Sequence, residues 1–191
     1  MQSEVDAPCP HCNTPSLTLL SMSSEIPYFG EHTQITVLCS DCGWRHTDFI
    51  PSDGLKPGYS SLFVDSIDKV TARVVRASSC TIRIRDLDLE VSPGGASTGY
   101  VTNIEGVISR FEDAVRTAVR GNDEREILDL SNQILESLRL AKIGESGITV
   151  ELLDPLGRSQ IIHEDAECRE LTDMEADELE IGPEIPVFEV S

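Results

Sequence analysis

The sequence predicts an α+β chain in which a small metal-held module precedes a β domain that carries a pair of helices. Three patterns predict this arrangement: two Cys-x-x-Cys pairs near the N-terminus, several short segments with alternating apolar residues, and two neighbouring amphipathic helices. The chain has 191 residues, which is enough for one modest domain and a small module supported by a metal.

Cys9, Cys12, Cys39 and Cys42 are the candidate ligands of a structural metal site. Each Cys-x-x-Cys turn directs two sulfurs at one centre, and 26 residues separate the two pairs. Zn²⁺ binds four thiolates in a tetrahedron, and such a shell leaves no open position for catalysis. The spacer exceeds the roughly 15–20 residues of many zinc ribbons, so we expect extra structure between the turns. The prediction is a zinc ribbon over residues 1–50.

Two disulfides or a redox Cys-x-x-Cys are the alternatives. The first residues lack the basic and apolar segments of a signal peptide, so we expect a cytoplasmic protein with reduced thiols. Thioredoxin-like redox sites carry one such pair rather than two. No apolar run approaches about 18 residues, so no membrane span or membrane partner is expected. Cys80 is expected to be a buried strand residue, and Cys168 a spectator thiol.

The charge of the chain restricts its partners. The formal net charge is −19, from 34 acidic and 15 basic residues. Binding to a phosphate backbone needs clustered Lys and Arg, so we expect no nucleic-acid partner and favour a protein with a basic surface. A salt-rich cytoplasm would also select an acidic, lysine-poor surface, and both explanations stay open.

The insert between the two cysteine turns contains the candidate partner-binding residues Ile26, Pro27, Tyr28 and Phe29. Pro27 lacks a backbone N–H and therefore disfavours a central strand, while Gly30 permits a tight turn. These apolar residues are expected at the tip of the ribbon, where adjacent aromatic side chains can anchor a partner. The alternative is that they pack back onto the ribbon or onto the next domain.

Residues 51–70 are expected to form a linker and a first strand, and residues 71–165 a β domain. Strands are predicted over 61–64, 72–76, 80–84, 87–91, 148–153 and 159–163. In the segment 81–85 the apolar residues should face a core and the arginines should face out. The loop 92–99 is rich in glycine but lacks the Gly-Lys-Ser/Thr ending of a phosphate loop, so no nucleotide site is predicted there.

A helical hairpin is predicted over residues 102–143. Capping boxes at 102–105 and 123–126 should start the two helices, and their short link should make them antiparallel. The acidic segment 166–191 follows, with a third capping box at 172–175 and a short helix extending to Glu180. Residues 186–190 either dock as a strand or stay mobile.

The sequence contains no recognisable catalytic motif. It lacks His-Glu-x-x-His, a serine elbow, and a cysteine in a setting that clearly lowers its pKa. We therefore expect a non-enzymatic protein without a small-molecule substrate.

Several segments resemble the ZPR-type zinc finger proteins. In family order, the matching segments are residues 9–12, 25–30, 39–45, 73–79, 90–93, 102–106 and 154–157. The Ile-Pro-Tyr-Phe, Ile-Glu-Gly and Asp-Pro-Leu-Gly segments are the specific ones. This chain carries one copy of the unit, as archaeal members do, whereas eukaryotic members duplicate it. Arg158 stands where the family often has Asn.

The resemblance implies a zinc ribbon followed by a β-helical (double-stranded β-helix) domain with a helical hairpin. It also implies that the protein binds translation elongation factor 1-alpha and assists its folding. The alternative function is a zinc-ribbon adaptor for nucleic acid or the transcription machinery. That alternative needs a basic ribbon, but Arg45 is the one Lys or Arg in residues 7–50.

Overall fold

Twelve strands form three sheets in the computed structural model, which describes residues 1–26, 30–52 and 58–182. The strands are β1 Gln2–Val5, β2 Leu17–Ile26, β3 Gly30–Cys39, β4 Arg45–Pro51, β5 Gly58–Val64, β6 Arg73–Arg76, β7 Thr81–Ile84, β8 Leu89–Val91, β9 Tyr100–Asn103, β10 Ile148–Asp154, β11 Gln160–Ile162 and β12 Glu167–Glu170. The helices are α1 Ile67–Val70, α2 Ile104–Ala118, α3 Arg125–Lys142 and α4 Asp173–Asp177.

The N-terminal sheet has the antiparallel order β1-β2-β3-β4. Strands β2 and β3 form a long hairpin, in register from Leu17 opposite Cys39 to Ile26 opposite Gly30. Strands β1 and β4, which the sequence analysis did not predict, cover the two sides of this hairpin. The sequence of β4 hides its strand character, because three polar residues in succession, at positions 46–48, are buried there.

The remaining strands form a five-stranded sheet, β12-β5-β10-β7-β8, and a three-stranded sheet, β11-β6-β9. Residues from both sheets and from α2 and α3 share one apolar core. Its fully buried members include Leu62, Val74, Ile108, Leu138 and Leu152. The alternation predicted for residues 81–85 is confirmed: Ile82 and Ile84 are buried in β7, whereas the side chains of Arg83 and Arg85 are 37% and 65% exposed.

The starts of α2 and α3 differ from the prediction. Asn103, not Thr102, caps α2, and its side-chain oxygen accepts from the Gly106 N–H at 2.9 Å. The ladder between β9 and β6 continues through Asn103, which pairs with Arg73 and is still extended, so the helix starts one residue later than predicted. Glu124 precedes α3 and makes no side-chain cap bond, so the predicted second box is also wrong.

The end of α3 lies against the middle of α2. The Lys142 ammonium contacts the Glu112 carboxylate at 3.0 Å and the Ser109 hydroxyl at 3.2 Å. Gly144 then ends α3 with φ +72°, a left-handed conformation that glycine adopts without strain. Its backbone also lies so close to Ile67 that a Cβ atom would come within 3.1 Å of the Ile67 nitrogen.

The acidic C-terminal segment contributes to the larger sheet, because β12 pairs with the edge of β5. The capping box of α4 is confirmed: Thr172 accepts from the Glu175 N–H, and the Glu175 carboxylate accepts from the Thr172 N–H. The helix ends at Asp177, before the predicted end at Glu180. The predicted strand at 186–190 lies outside the described residues. The domain boundaries proposed above stay a prediction, since strand pairing does not test independent folding.

Candidate metal centre and ribbon junction

The two Cys-x-x-Cys turns have the same backbone geometry. In the first, the Cys9 N–H donates to the Thr14 carbonyl at 2.8 Å and the Asn13 N–H donates to the Cys9 carbonyl at 2.8 Å. In the second, the corresponding bonds join Cys39 to Trp44 at 2.8 Å and Gly43 to Cys39 at 3.1 Å. Because the turns match, they present their sulfurs to one point from opposite sides.

Each turn ends with a left-handed residue that reverses the chain. Asn13 has φ 59° and Gly43 has φ 74°. Glycine reaches this region without steric cost, and asparagine tolerates it better than most residues do. The residue after each cysteine pair therefore has the type that the turn requires.

The four cysteine sulfurs lie within 4.8 Å of one another. The Cys9 and Cys42 sulfurs are 3.8 Å apart, and the Cys12 and Cys39 sulfurs are 3.6 Å apart. A tetrahedron with Zn–S bonds of about 2.3 Å has edges of roughly 3.8 Å. The spacing and the thiolate donor set thus fit Zn²⁺, and the closed shell suits a structural metal.

The backbone around the cysteines favours thiolate at one sulfur and opposes it at another. N–H groups of Cys42 and Asp41 stabilise the charged form of Cys39 and lower its pKa to about 6. The Trp44 N–H favours the thiolate of Cys42, but burial and the neighbouring thiols together raise its pKa to about 12. Four thiolates at this spacing repel one another, so holding them all ionised requires a cation.

The apolar cluster around the metal centre is small. Its buried members are Val5, Cys9, Leu17, Val37 and Cys39, so two of them are candidate ligands. Trp44 packs at its edge and stacks on His46 with ring centroids 6.1 Å apart. Burial lowers the pKa of His46, which disfavours its charged form. The ribbon therefore has little apolar packing, and its stability depends mainly on the metal.

A buried aspartate joins the ribbon to the rest of the molecule. Asp48 lies on β4 and is 0% exposed. Its carboxylate accepts from the Ser78 N–H at 2.9 Å and the Ser78 hydroxyl at 2.8 Å. It also accepts from the Arg158 guanidinium at 3.2 Å. Arg158 thus binds the ribbon directly.

A second buried aspartate organises the loop that carries Arg158. Asp154 accepts from the hydroxyls of Ser79 and Ser159, both at 2.7 Å. It also accepts from the Arg158 N–H at 2.8 Å. Consecutive serines, Ser78 and Ser79, therefore contact the two carboxylates. The segments 73–79 and 154–157, singled out by sequence, build this junction, a role that sequence analysis did not assign.

Of the four predicted partner-binding residues, the structure describes only the first, Ile26, which ends β2. Pro27, Tyr28 and Phe29 lie outside the described residues, and for Ile26 only its backbone pairing with Gly30 is described. Along the hairpin, one face of the sheet exposes Leu20, Met22 and Leu38, which are 37%, 59% and 37% exposed. Leu38 lies next to Cys39, at the cysteine end of the hairpin. These three residues, called the ribbon face below, line a groove of about 300 Å³.

The family model for the ZPR1 jelly-roll domain matches residues 68–180. The chain belongs to the ZPR1 family. An uncharacterised ZPR1-like protein of Pyrococcus horikoshii is 33% identical over 183 residues, which cover 94% of this chain and 82% of that protein. A ZPR1-like protein of Methanocaldococcus jannaschii is 33% identical over 175 residues, or 91% of this chain and 88% of that protein.

Eukaryotic members of the ZPR1 family are longer than this chain. The zinc finger chaperone zpr1 of Schizosaccharomyces pombe is 25% identical over 162 residues, which cover 83% of this chain but 34% of that protein. The match to the jelly-roll model and the four clustered cysteines agree with the predicted order of ribbon and β domain. None of the helices in residues 1–26, 30–52 and 58–182 has the length and hydropathy that a membrane-spanning helix requires.

Proposed function

We propose that this protein is a non-enzymatic zinc protein that binds translation elongation factor 1-alpha and assists its folding. The observation that carries the proposal is the ribbon face, an apolar surface that runs along the hairpin from Met22 to Leu38, beside the four cysteines that close the base of the sheet. The chaperone name of the fission-yeast relative supports the folding role.

The ribbon face has the properties of a docking surface for another polypeptide. Leu20 and Met22 alternate on β2, so their side chains share one face of the sheet with Leu38 of β3. Exposed apolar groups that lie together on a rigid element mark interaction sites more strongly than scattered ones. Methionine also adapts its shape to irregular partners, such as a client that is not yet folded.

In this proposal Zn²⁺ has a structural role. Cys9, Cys12, Cys39 and Cys42 bind the metal and lock the base of the ribbon, and the hairpin extends Ile26, Pro27, Tyr28 and Phe29 towards the client. The jelly-roll domain, which we assign to the double-stranded β-helix type with an antiparallel helical hairpin, holds the ribbon through Asp48.

Two variants of the ribbon test the proposal against purified elongation factor 1-alpha. The double substitution Tyr28→Ala and Phe29→Ala should abolish co-purification while the zinc content stays at one per chain. Met22→Ser should weaken binding by roughly tenfold, the effect of losing one well-packed interface side chain. The measurement is the dissociation constant by calorimetry, together with metal analysis.

Met174→Ser is the matched control. Met174 is also an exposed methionine, with 75% of its surface accessible against 59% for Met22, but it lies on α4, away from the ribbon face. It should bind like the wild type. Equal binding by the tip variant and the wild type would remove the tip from the proposal. If no variant and no wild-type protein binds the factor, the client is wrong.

The acidic surface should steer association with a basic client. The rate of association should fall steeply between low and physiological salt, whereas dissociation should change little. If the association rate does not depend on salt, the net charge of −19 reflects adaptation to a salt-rich cytoplasm rather than attraction to a basic partner.

A further inference from the structure

A cavity of about 250 Å³ lies between the glycine-rich loop 92–99, strands β6 to β9 and helix α2. Its lining residues include Ile82, Val91, Val107 and Phe111, which are apolar, and Arg76, Arg110, Ser92, Ser97 and Tyr100, which are polar. Drug-sized ligands occupy cavities of about 300–1,000 Å³, so this one suits a smaller molecule. It lies apart from the cysteine cluster and the ribbon face.

The guanidinium groups of two arginines lie against the ring of one tyrosine in the cavity. The Arg110 guanidinium carbon is 4.2 Å from the centre of the Tyr100 ring, and that of Arg76 is 5.5 Å from it. Nearby guanidinium groups repel one another, and an anion relieves that repulsion. In a chain with 15 basic residues against 34 acidic ones, two arginines placed together favour an anion at this point.

Arg76 is incompletely hydrogen-bonded although it is 6% exposed. Its two terminal nitrogens donate to the carbonyls of Thr98 at 3.1 Å and Cys80 at 2.8 Å. Its Nε has no hydrogen-bond partner among the described residues, and neither does the buried hydroxyl of Ser97. Buried polar groups without partners are costly, and both residues line the same cavity. An acceptor bound there would satisfy both donors after a small rotation of the two side chains towards the cavity.

We propose that this cavity binds a small monocarboxylate with an apolar body. Its two carboxylate oxygens accept from the guanidinium groups and from Ser97, and its hydrocarbon part packs on Val91, Val107 and Phe111. The protein binds this ligand without transforming it, and the inference does not depend on the identity of the client protein.

The charges around the cavity favour a monoanion over phosphate. Glu90 is outside the cavity lining, but its carboxylate accepts at 3.1 Å from the hydroxyl of Ser92, which lines the cavity, and pairs with Arg83. A dianion would meet this carboxylate as well as the large negative charge of the chain. The apolar half of the lining also offers phosphate no hydrogen bonds, whereas it suits a hydrocarbon group.

Calorimetry and amide NMR spectra of the full chain can test the site with four probes. 3-Methylbutanoate should bind with a millimolar dissociation constant and shift the amide signals of residues 92–100 and 107–111. 3-Methylbutanamide, which has the same shape without the charge, should bind at least about tenfold more weakly. Inorganic phosphate should not compete.

The fourth probe, N-acetyl-leucine, carries the carboxylate of a polypeptide chain end. Tighter binding of this probe than of 3-methylbutanoate would identify chain ends as the source of the ligand, and the reverse would identify free acids. Either result supports the site. Equal binding of amide and carboxylate, tighter binding of phosphate, or no shifts with any probe would overturn the proposal.

Arg110→Gln provides the variant, because Arg110 is exposed and its loss should not disturb folding. It should weaken 3-methylbutanoate binding roughly tenfold, and Arg110→Lys should restore part of the affinity. Arg116→Gln is the matched control, since it removes the same charge from the same helix outside the cavity lining. Equal losses in Arg110→Gln and Arg116→Gln would show a general charge effect and refute the site.

Discussion

The ribbon and the jelly-roll domain are both built mainly from antiparallel strands, but they are held together in different ways. Among the residues that the structure describes, the apolar core of the jelly-roll contains 18 buried residues drawn from strands and helices. The cluster of the ribbon contains five, and two of those are cysteines of the metal site. Small modules cannot bury enough apolar surface to fold unaided, so the ribbon relies on a metal where the jelly-roll relies on packing.

Metal removal should separate the two regions most clearly. Structural zinc contributes about 10–16 kcal/mol of apparent binding free energy in small modules, so a chelator should unfold the ribbon and leave the jelly-roll folded. Hydrogen exchange should show lost protection in β3 and retained protection in β10. Cys39→Ser should reproduce the effect, and Cys168→Ser, at an exposed thiol, should not. Loss of protection in both strands would contradict the comparison.

The junction should be the next most sensitive point. Asp48→Ala leaves the Arg158 charge and the Ser78 donors without their buried acceptor, so we expect a loss of about 3–5 kcal/mol in the free energy of unfolding. Urea unfolding measures it. Asp113→Ala removes a carboxylate that is 81% exposed and should change stability by less than about 0.5 kcal/mol. Similar values for both variants would mean that the junction contributes little.

A substitution in the jelly-roll core should lower the free energy of unfolding without changing the zinc content of the ribbon. Leu152 is 0% exposed on β10, between β5 and β7, and Leu152→Ala should cost about 2–5 kcal/mol. Leu130→Ala, at a position 58% exposed on α3, should cost much less. Both variants should retain one zinc per chain, so metal analysis beside urea unfolding checks the comparison. Loss of zinc in Leu152→Ala would show that the ribbon depends on jelly-roll packing.

The smallest effect concerns the acidic C-terminal segment. The Arg169 guanidinium and the Thr172 N–H lower the pKa of Glu175 from 4.5 to about 2. Because the folded-state pKa is depressed, the stabilisation is present above pH 4.5 and is lost as the pH falls towards 2. An NMR titration should show a midpoint near 2, and Arg169→Gln should move it towards 4.5. An unchanged midpoint in Arg169→Gln would mean that the capping box alone lowers the pKa of Glu175.

The parts of the fold that follow local rules could be predicted from the sequence. The cysteine turns, the alternation of β7 and the cap of α4 each depend on a few neighbouring residues. Strand β4 could not be predicted, because the buried position of Asp48 is explained only by Ser78 and Arg158, which are distant in sequence. The start of α2 lies one residue later than predicted, since Thr102 and Asn103 are both good caps and only the length of the ladder with β6, which extends through Asn103, distinguishes them.

The site was predicted unevenly for the same reason. Four cysteines at fixed spacing suffice to indicate zinc, and the structure brings them together. The junction and the carboxylate cavity require residues from several elements, and no spacing in the sequence links Arg76 to Arg110 or Ser97. The tip residues 27–29 stay a prediction.

Gly99 connects the two regions in a further way. Its N–H donates to the Thr47 carbonyl of β4 at 2.6 Å, and a Cβ atom there would come within 3.1 Å of the Asp48 backbone. The loop 92–99 therefore touches the ribbon on one side and forms a wall of the cavity on the other. Thermodynamic linkage is reciprocal. If the carboxylate ligand orders this loop and thereby changes the affinity of the ribbon for its client, the client changes the affinity for the ligand by the same factor.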